Sequence, residues 1–484
     1  MDKHTLWTER AWIAGRWQES VLLEVDRQGH WASITPGIAV PPEHARCLPG
    51  PVLPGLVNAH SHAFQRAFAG LSERRETETD DFWSWRDRMY RVALRITPEQ
   101  MRAVAAQLYV ELLRGGYTQV CDFHYLHHDP QGAFYADPAT MCWALADAAA
   151  DSGIGLTVLP VLYQRAGFVL PTLRDDQRRF AGTPALVHQL VRAVQVGARP
   201  HVNAGVAIHS LRAASAESIG GLLRLIGDEP LPIHIHVAEQ TQEVDDCIAA
   251  TGARPIAWLC KELAPDLRWQ LVHATHATPA EIDAVARSGA GIVICPSTEG
   301  NLGDGLTDLH GWLAAGVPMA IGSDSHVTRN WPEELRWLEY GQRLLRRQRN
   351  VAAAPALGQP ATAARLFDAA LAAGANAAGQ SIWGLVKGAR ADALVLDPQS
   401  PALLGIPPSH DLDALVFAGS EPGFSEVLVA GRVVIRDGQH HSQQAIAERF
   451  SAVMDSLWAQ RVRVNSPWPS RPSKRAQSRR KAQP

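Results

Sequence analysis

Eight short apolar or β-branched runs alternate with longer segments of helical pattern, and this alternation constrains the fold more than any other feature of the 484 residues. The runs are PVLPGLVNA (51–59), YTQVCDFH (117–124), IGLTVLPVL (154–162), VNAGVAIH (202–209), PIHIHVA (232–238), WQLVHAT (269–275), AGIVICP (290–296) and VPMAIGSD (317–324). Between them lie stretches such as TPEQMRAVAAQLYVELLRGG, which opens on a Thr cap and closes on Gly. Strands that alternate with helices imply parallel βαβ units. Eight such units suggest an α/β chain folded as a (β/α)8 TIM-like barrel, whose chemistry collects at the C-terminal ends of the strands.

The flanks read differently. Residues 5–48 and 385–436 are short strands with Gly turns. The expected division is a small β-sandwich-like domain built from 1–50 and 385–440, a catalytic barrel over 51–384, a C-terminal helix over 441–465 and a disordered basic tail over 466–484. That tail, SPWPSRPSKRAQSRRKAQP, holds no acidic residue and reads as a solvated segment. His440 and His441 read as exposed loop residues.

Bulk properties narrow the function classes. A net charge of -3 gives no general attraction to nucleic acid or to an anionic membrane. No run approaches the roughly 20 apolar residues needed to span a bilayer, and the opening MDKHTLWTERAW lacks the apolar core of a signal peptide. The six cysteines are scattered without a CxxC pair, as expected of buried thiols in a reducing cytoplasm.

Polar residues do gather at the ends of the runs. The first ends in His60-Ser61-His62, the second in His124-Tyr125, and the fourth in His209 with Arg212 beyond. The fifth holds His236 followed by Glu239, the sixth holds His273 followed by His276, and the eighth ends in Asp324. Residues i and i+2 of a strand point to one face, so His60 and His62 project together into the barrel mouth. Neutral imidazoles with one carboxylate suit Zn2+. The expected ligands are His60, His62, His236 and Asp324 with a water, which leaves the coordination open for catalysis.

PGLVNAHSH after the first run, HVAE (236–239), HATH (273–276) and GSDSH (322–326) together resemble the amidohydrolase superfamily over nearly the whole chain. Two-metal members bridge their ions through a carboxylated lysine or a glutamate on the third or fourth strand. Here no lysine lies between Lys3 and Lys261, and neither of those runs contains glutamate. HVAE is similar to the mononuclear deaminase branch, which implies one Zn2+ per chain and a proton-shuttling role for Glu239. A bound metal lowers the pKa of water toward about 7 and so provides hydroxide at neutral pH. Asp324 would accept the water proton, Glu239 would donate to the departing nitrogen, and His273 would orient the attack. His276 reads as structural.

The substrate signals lie in DFWSWRDRMYR (81–91), FHYLHH (123–128) and IHSLRA (208–213), which offer Arg86, Tyr125, His209 and Arg212 at the mouth. Guanidinium forks match carboxylates, so two arginines suit a small dicarboxylate with an amidine-like end. With NAHSHAFQR and CPSTEGNLGDG (295–305), these segments resemble the superfamily branch that hydrolyses N-formimino-L-glutamate to N-formyl-L-glutamate and ammonia. That resemblance implies a cytoplasmic homodimer of histidine degradation. It also implies substrate contacts from Gln65, Arg86, Tyr125, His209 and Arg212, with Gln65 on either the formimino end or the adjacent carboxylate. The rivals are a mononuclear deaminase of guanine- or adenosine-like substrates and a non-catalytic zinc-binding paralogue. A cyclic amidase is disfavoured because it usually employs two metals.

Overall fold

The computed structural model describes residues 4–75, 80–421 and 423–459. Eight parallel strands follow one another in chain order: β1 (Leu56–Ser61), β2 (Tyr117–His124), β3 (Gly155–Leu162), β4 (Val206–Ser210), β5 (Ile233–Val237), β6 (Trp269–His273), β7 (Gly291–Ile294) and β8 (Met319–Ile321). The chain just beyond β8 returns to β1 through a parallel bridge between Ser61 and Asp324. There the Asp324 N–H donates to His60 O at 3.0 Å and the His62 N–H donates to Asp324 O at 3.3 Å. This TIM-like barrel is the architecture expected from the alternating runs. Strands such as β2 and β3 are buried along their whole length, which is why a two-sided parallel strand reads as a continuous apolar run.

Two of the runs divide. Val52–Pro54 pairs with Ala393–Leu396 in a second sheet, and the barrel strand begins at Leu56. Gly55 makes the passage possible, because a Cβ there would fall 2.3 Å from Thr118 Oγ1. The fourth run breaks at Gly205 into Val202–Ala204 and β4. A Cβ at Gly205 would lie 2.7 Å from Leu159 Cδ2.

Helix α1 (Phe82–Ala93) follows β1 and starts on Asp81, whose side chain accepts from the N–H groups of Trp83 and Ser84. Helix α2 (Pro98–Arg114) begins at the Thr97 cap read from the sequence. The Thr97 hydroxyl accepts from Gln100 N–H at 3.2 Å, and the Gln100 side chain accepts in return from Thr97 N–H at 3.0 Å. This reciprocal box satisfies two otherwise orphaned donors.

Both chain ends build one mixed nine-stranded sheet beside the barrel. Its N-terminal half runs through the hairpin His4–Ile13 and Arg16–Val25, and its C-terminal half through Phe424–Val429 and Arg432–Arg436. Val52–Pro54 joins the halves, and Leu23, Trp31, Val52 and Val395 share a core of their own. His440 corrects one expectation. It is buried, its Nε2 faces Ser152 O at 3.0 Å, and its Nδ1 accepts from Ser442 N–H at 3.1 Å. A backbone acceptor and a backbone donor on the two ring nitrogens draw it inward, while His441 stays exposed. The helix Gln443–Trp458 then packs on α2. The basic stretch 466–484 lies outside the described residues. Among the described residues no helix is long and apolar enough to cross a membrane.

Candidate active site

The bonds that close the barrel also bring together side chains able to ligate a metal. His60 and His62 leave the end of β1 toward the axis, and the closing bridge sets Asp324 against both. His62 Nε2 lies 3.3 Å and His60 Nε2 3.6 Å from Asp324 Oδ1. From β5, His236 Nε2 comes within 3.0 Å of His60 Nε2. All four side chains are buried. Among the described residues, three groups of donor atoms could hold a metal ion: His60–His236–His273, His60–His62–Asp324 and His273–Cys295–Asp324. The backbone is strained here, with φ of 44° at Asp324, 69° at His273 and 67° at His326. Left-handed non-glycine residues cost on the order of 1–3 kcal/mol each and cluster at functional sites.

The donor set fits a cation. His62 Nδ1–H donates to Phe123 O at 2.9 Å, so its Nε2 presents a lone pair to the Asp324 carboxylate. Two acceptors at 3.3 Å repel unless a proton or a metal ion lies between them. A proton on His62 is disfavoured, because burial pushes its pKa down to about 3. Burial, with the neighbouring imidazoles, likewise holds His60 and His236 well below the ordinary histidine value. Neutral imidazole is the ligating form, and the Phe123 carbonyl fixes the tautomer as an outer partner of a metal ligand does. Among the described residues His60 Nδ1 is buried without a hydrogen-bond partner, and the ring packs edge-on 5.1 Å from the Phe123 ring centroid.

A carboxylate-rich layer flanks the cluster. His273 Nε2 lies 3.7 Å from Glu239 Oε1 and 3.8 Å from Asp324 Oδ2, while its Nδ1 lies 3.3 Å from Glu299 Oε1. Burial works to lower the His273 pKa, but Glu239, Glu299 and Asp324 outweigh it and raise it to about 10. Both ring nitrogens face carboxylate oxygens, so protonated His273 would donate from both. Burial pushes Asp324 up to about 7. The Glu239 loop is held by Glu243, whose carboxylate accepts from Ala238 N–H at 3.3 Å and Glu239 N–H at 3.2 Å. Glu299 and Glu243 were missed in the sequence. A clue to each was present, since Glu299 stands four residues after Cys295 in CPSTEGNL and Glu243 stands four after Glu239.

The five expected substrate contacts line the same cavity as His62, His236, Glu239, His273 and Asp324. Gln65 donates to Tyr125 Oη at 3.3 Å, and its carbonyl oxygen is buried without a partner. Burial, aided by Arg212, holds His209 well below the ordinary histidine value. The Arg86 and Arg212 guanidiniums lie 4.6 Å and 5.3 Å from the Trp83 ring centroid. Arg86 Nε and Arg212 Nη1 are buried without hydrogen-bond partners. The nearest carboxylate to Arg212, Glu243, is 4.0 Å away, and Arg86 Nη2 lies 3.6 Å from Asp87 Oδ1. One end of the cavity thus offers two under-paired cations and the other a cluster able to ligate a metal, with carboxylates beside it. His276 is not among the lining residues.

Residues 52–434 match the model of the Amidohydrolase family. The chain is 47% identical over 454 residues to formimidoylglutamate deiminase of Pseudomonas aeruginosa, covering 93% of this chain and 99% of that protein. It is 27% identical over 406 residues to a 5-methylthioadenosine/S-adenosylhomocysteine deaminase of Natronomonas pharaonis, covering 83% and 85%. The crystal structure of an amidohydrolase from Brucella melitensis superposes with a TM-score of 0.89 at 39% identity, over 94% of this chain and 99% of that one.

Proposed function

The chain belongs to the amidohydrolase family and is a hydrolase, and from that premise we propose that it deaminates N-formimino-L-glutamate. Water adds to the formimino carbon, the C=NH nitrogen leaves as ammonia, and the carbon remains as the formyl group of N-formyl-L-glutamate. The observation that carries this reading is the two-ended cavity, with Arg86 and Arg212 at one end and the metal-ligating cluster with Glu239 at the other. The relative at 47% identity supports the same substrate.

In this reading His60, His62, His236 and Asp324 hold one zinc ion. When bound, the metal supplies Lewis acidity and makes water acidic enough to react at neutral pH. Asp324 takes a proton from the attacking water. Glu239, on a loop pinned by Glu243, delivers a proton to the departing nitrogen. His273 donates from Nε2 toward the reacting centre while Glu299 holds its Nδ1. Arg86, Arg212, Tyr125, His209 and Gln65 hold the glutamate portion, so the formimino carbon is presented in one orientation. A single metal is supported by the absence of lysine between Lys3 and Lys261. A cytoplasmic homodimer of histidine degradation accompanies the reading.

A second reading, deamination of an adenosine-like ring, draws on the relative at 27% identity. It gives no use to two under-paired guanidiniums. The test is ammonia release by the zinc-loaded protein from N-formimino-L-glutamate, guanine, adenosine and cytosine. Turnover of the first alone is expected, and preference for a nucleobase or nucleoside would overturn the proposal.

A further inference from the structure

Gln177, Tyr90 and Tyr163 form a buried polar knot that no step above uses. Tyr163 follows β3, Tyr90 lies on α1, and Gln177 lies on a short helical turn, Asp175–Phe180. Both tyrosines line the cavity that holds Arg86 and Arg212, and Gln177 is fully buried behind them. The Gln177 carbonyl oxygen accepts from Arg174 N–H at 3.1 Å, which settles how the amide is turned. Its NH2 group must then face the tyrosines, and it donates to Tyr163 Oη at 2.9 Å and to Tyr90 Oη at 3.2 Å.

That polarity has a consequence for the two hydroxyl protons. Each phenolic oxygen already receives a hydrogen bond, so its own proton must find an acceptor elsewhere. The two hydroxyls are 3.5 Å apart, so at best one donates weakly to the other. Among the described residues neither hydroxyl donates to a carboxylate or a carbonyl group. At least one of these buried O–H groups therefore lacks a good acceptor among the described residues, and such a group costs free energy until a ligand supplies one. Burial pushes the Tyr163 phenol well up, so that proton stays in place at neutral pH. The surroundings select the charge of the ligand. The Arg86 guanidinium lies 5.5 Å from the Tyr90 ring centroid, and Tyr163 packs 4.2 Å from the His209 ring centroid.

We propose that the Tyr90–Tyr163 hydroxyl pair, held by Gln177, donates to a carboxylate of the substrate and completes the anion end begun by Arg86 and Arg212. The inference rests on the deaminase reading for the identity of the substrate, but not for the need of an anionic acceptor. The two hydroxyls read the position of the carboxylate, whereas the guanidiniums chiefly read its charge. A substrate that lacks a carboxylate at this depth leaves the donors unpaired and is rejected on that ground.

The test uses the zinc-loaded protein and glutarate, a five-carbon dicarboxylate with no reacting group, bound in a calorimeter. Tyr163→Phe and Tyr90→Phe preserve the ring and remove only the hydroxyl. Unchanged melting temperature and metal content show that each variant keeps its fold. Glutarate should bind the double variant at least about tenfold more weakly than the parent, the scale of a hydrogen bond to a charged group. On N-formimino-L-glutamate, KM should rise by a similar factor, with a smaller change in kcat. Glutarate affinity within about twofold of the parent would overturn the inference, and so would failure of the parent to bind glutarate at all. If the parent binds glutarate through these hydroxyls yet releases no ammonia from N-formimino-L-glutamate, the deaminase reading fails and the carboxylate subsite stands.

Discussion

Arg212→Met separates recognition of the substrate from support of the fold. Methionine keeps the apolar stem and removes the fork. In the structure the Arg212 side chain is only 7% exposed, its Nη1 lacks a hydrogen-bond partner, and Glu243 at 4.0 Å is too distant for a hydrogen bond. A new charge-assisted bond to a substrate carboxylate is worth roughly 1.5–3 kcal/mol. At 1.4 kcal/mol per factor of ten, kcat/KM should fall about 10- to 150-fold. A second effect adds to the first. Burial already raises the Glu243 carboxyl above its ordinary value while Arg212 pulls it back down. Without the guanidinium the Glu243 carboxyl should rise further, which favours its neutral form, and a neutral carboxyl accepts less strongly from the Ala238 and Glu239 N–H groups. Glu239 then loosens, so kcat should fall together with the rise in KM. Metal content should not change, because Arg212 sits against Glu243 and the Trp83 ring rather than against His60, His62, His236 or Asp324. The assay is steady-state ammonia release with elemental analysis of the same preparation. The control substrate carries one amidated carboxylate; it should be poor with the parent and lose little more with the variant. Equal losses on both substrates, or loss of metal, would refute the reasoning and leave Arg212 as a support of the fold.

Three further outcomes are expected. Glu239→Gln should keep about one zinc per chain by elemental analysis and lose roughly 10²–10⁴-fold in kcat, the usual contribution of a proton-transfer group; loss of the metal would make Glu239 a ligand instead. Gly322→Ala would place a Cβ 2.7 Å from His60 Cβ and 2.9 Å from His60 N, so it should lower the thermal midpoint by the equivalent of about 1–3 kcal/mol and reduce metal content. His440 has a folded-state pKa lowered from 6.5 to about 4 by burial and by His441. The unfolded chain therefore binds the extra proton first, and its stabilising contribution is complete above about pH 6.5 and lost as pH falls toward about 4. His440→Gln should flatten that part of the urea midpoint against pH, and an unchanged slope would show that other groups govern it.

The legible part of the fold was the part written locally. A parallel strand buried on both faces is a continuous apolar run, and a capped helix announces itself within four residues, as Thr97 and Gln100 do. The meeting of the expected metal ligands was legible for a similar reason. Barrel topology sends every strand end to one mouth, so His60, His62, His236 and Asp324 needed only their places in the runs. What escaped depended on contacts across the fold. The division at Gly55 is set by Thr118, and the burial of His440 by a carbonyl 288 residues away. Glu299, Glu243 and Gln177 lie on helices whose pattern carries no sign of what their side chains face. Gln177 meets Tyr90 across 87 residues, a pairing that no period in the sequence records.

The charge layout of the cavity sets the direction in which a substrate enters it. N-formimino-L-glutamate carries two carboxylates on one portion and a basic amidine on the other. Placed with the carboxylates toward Arg86 and Arg212, it would set the amidine beside Glu239 and away from both guanidiniums. Reversed, it would press the amidine against two guanidiniums. In a buried cavity such a like-charge contact is screened far less than at the surface. Preference for one orientation would thus follow chiefly from the two cations at one end. An adenosine-like ring carries no such pair of charged ends, so the same layout would give it no direction. This is why under-paired arginines far from the reacting carbon bear on the chemistry. In the proposed reaction they would bind the portion that does not react and so determine which carbon faces His60, His62, His236 and Asp324.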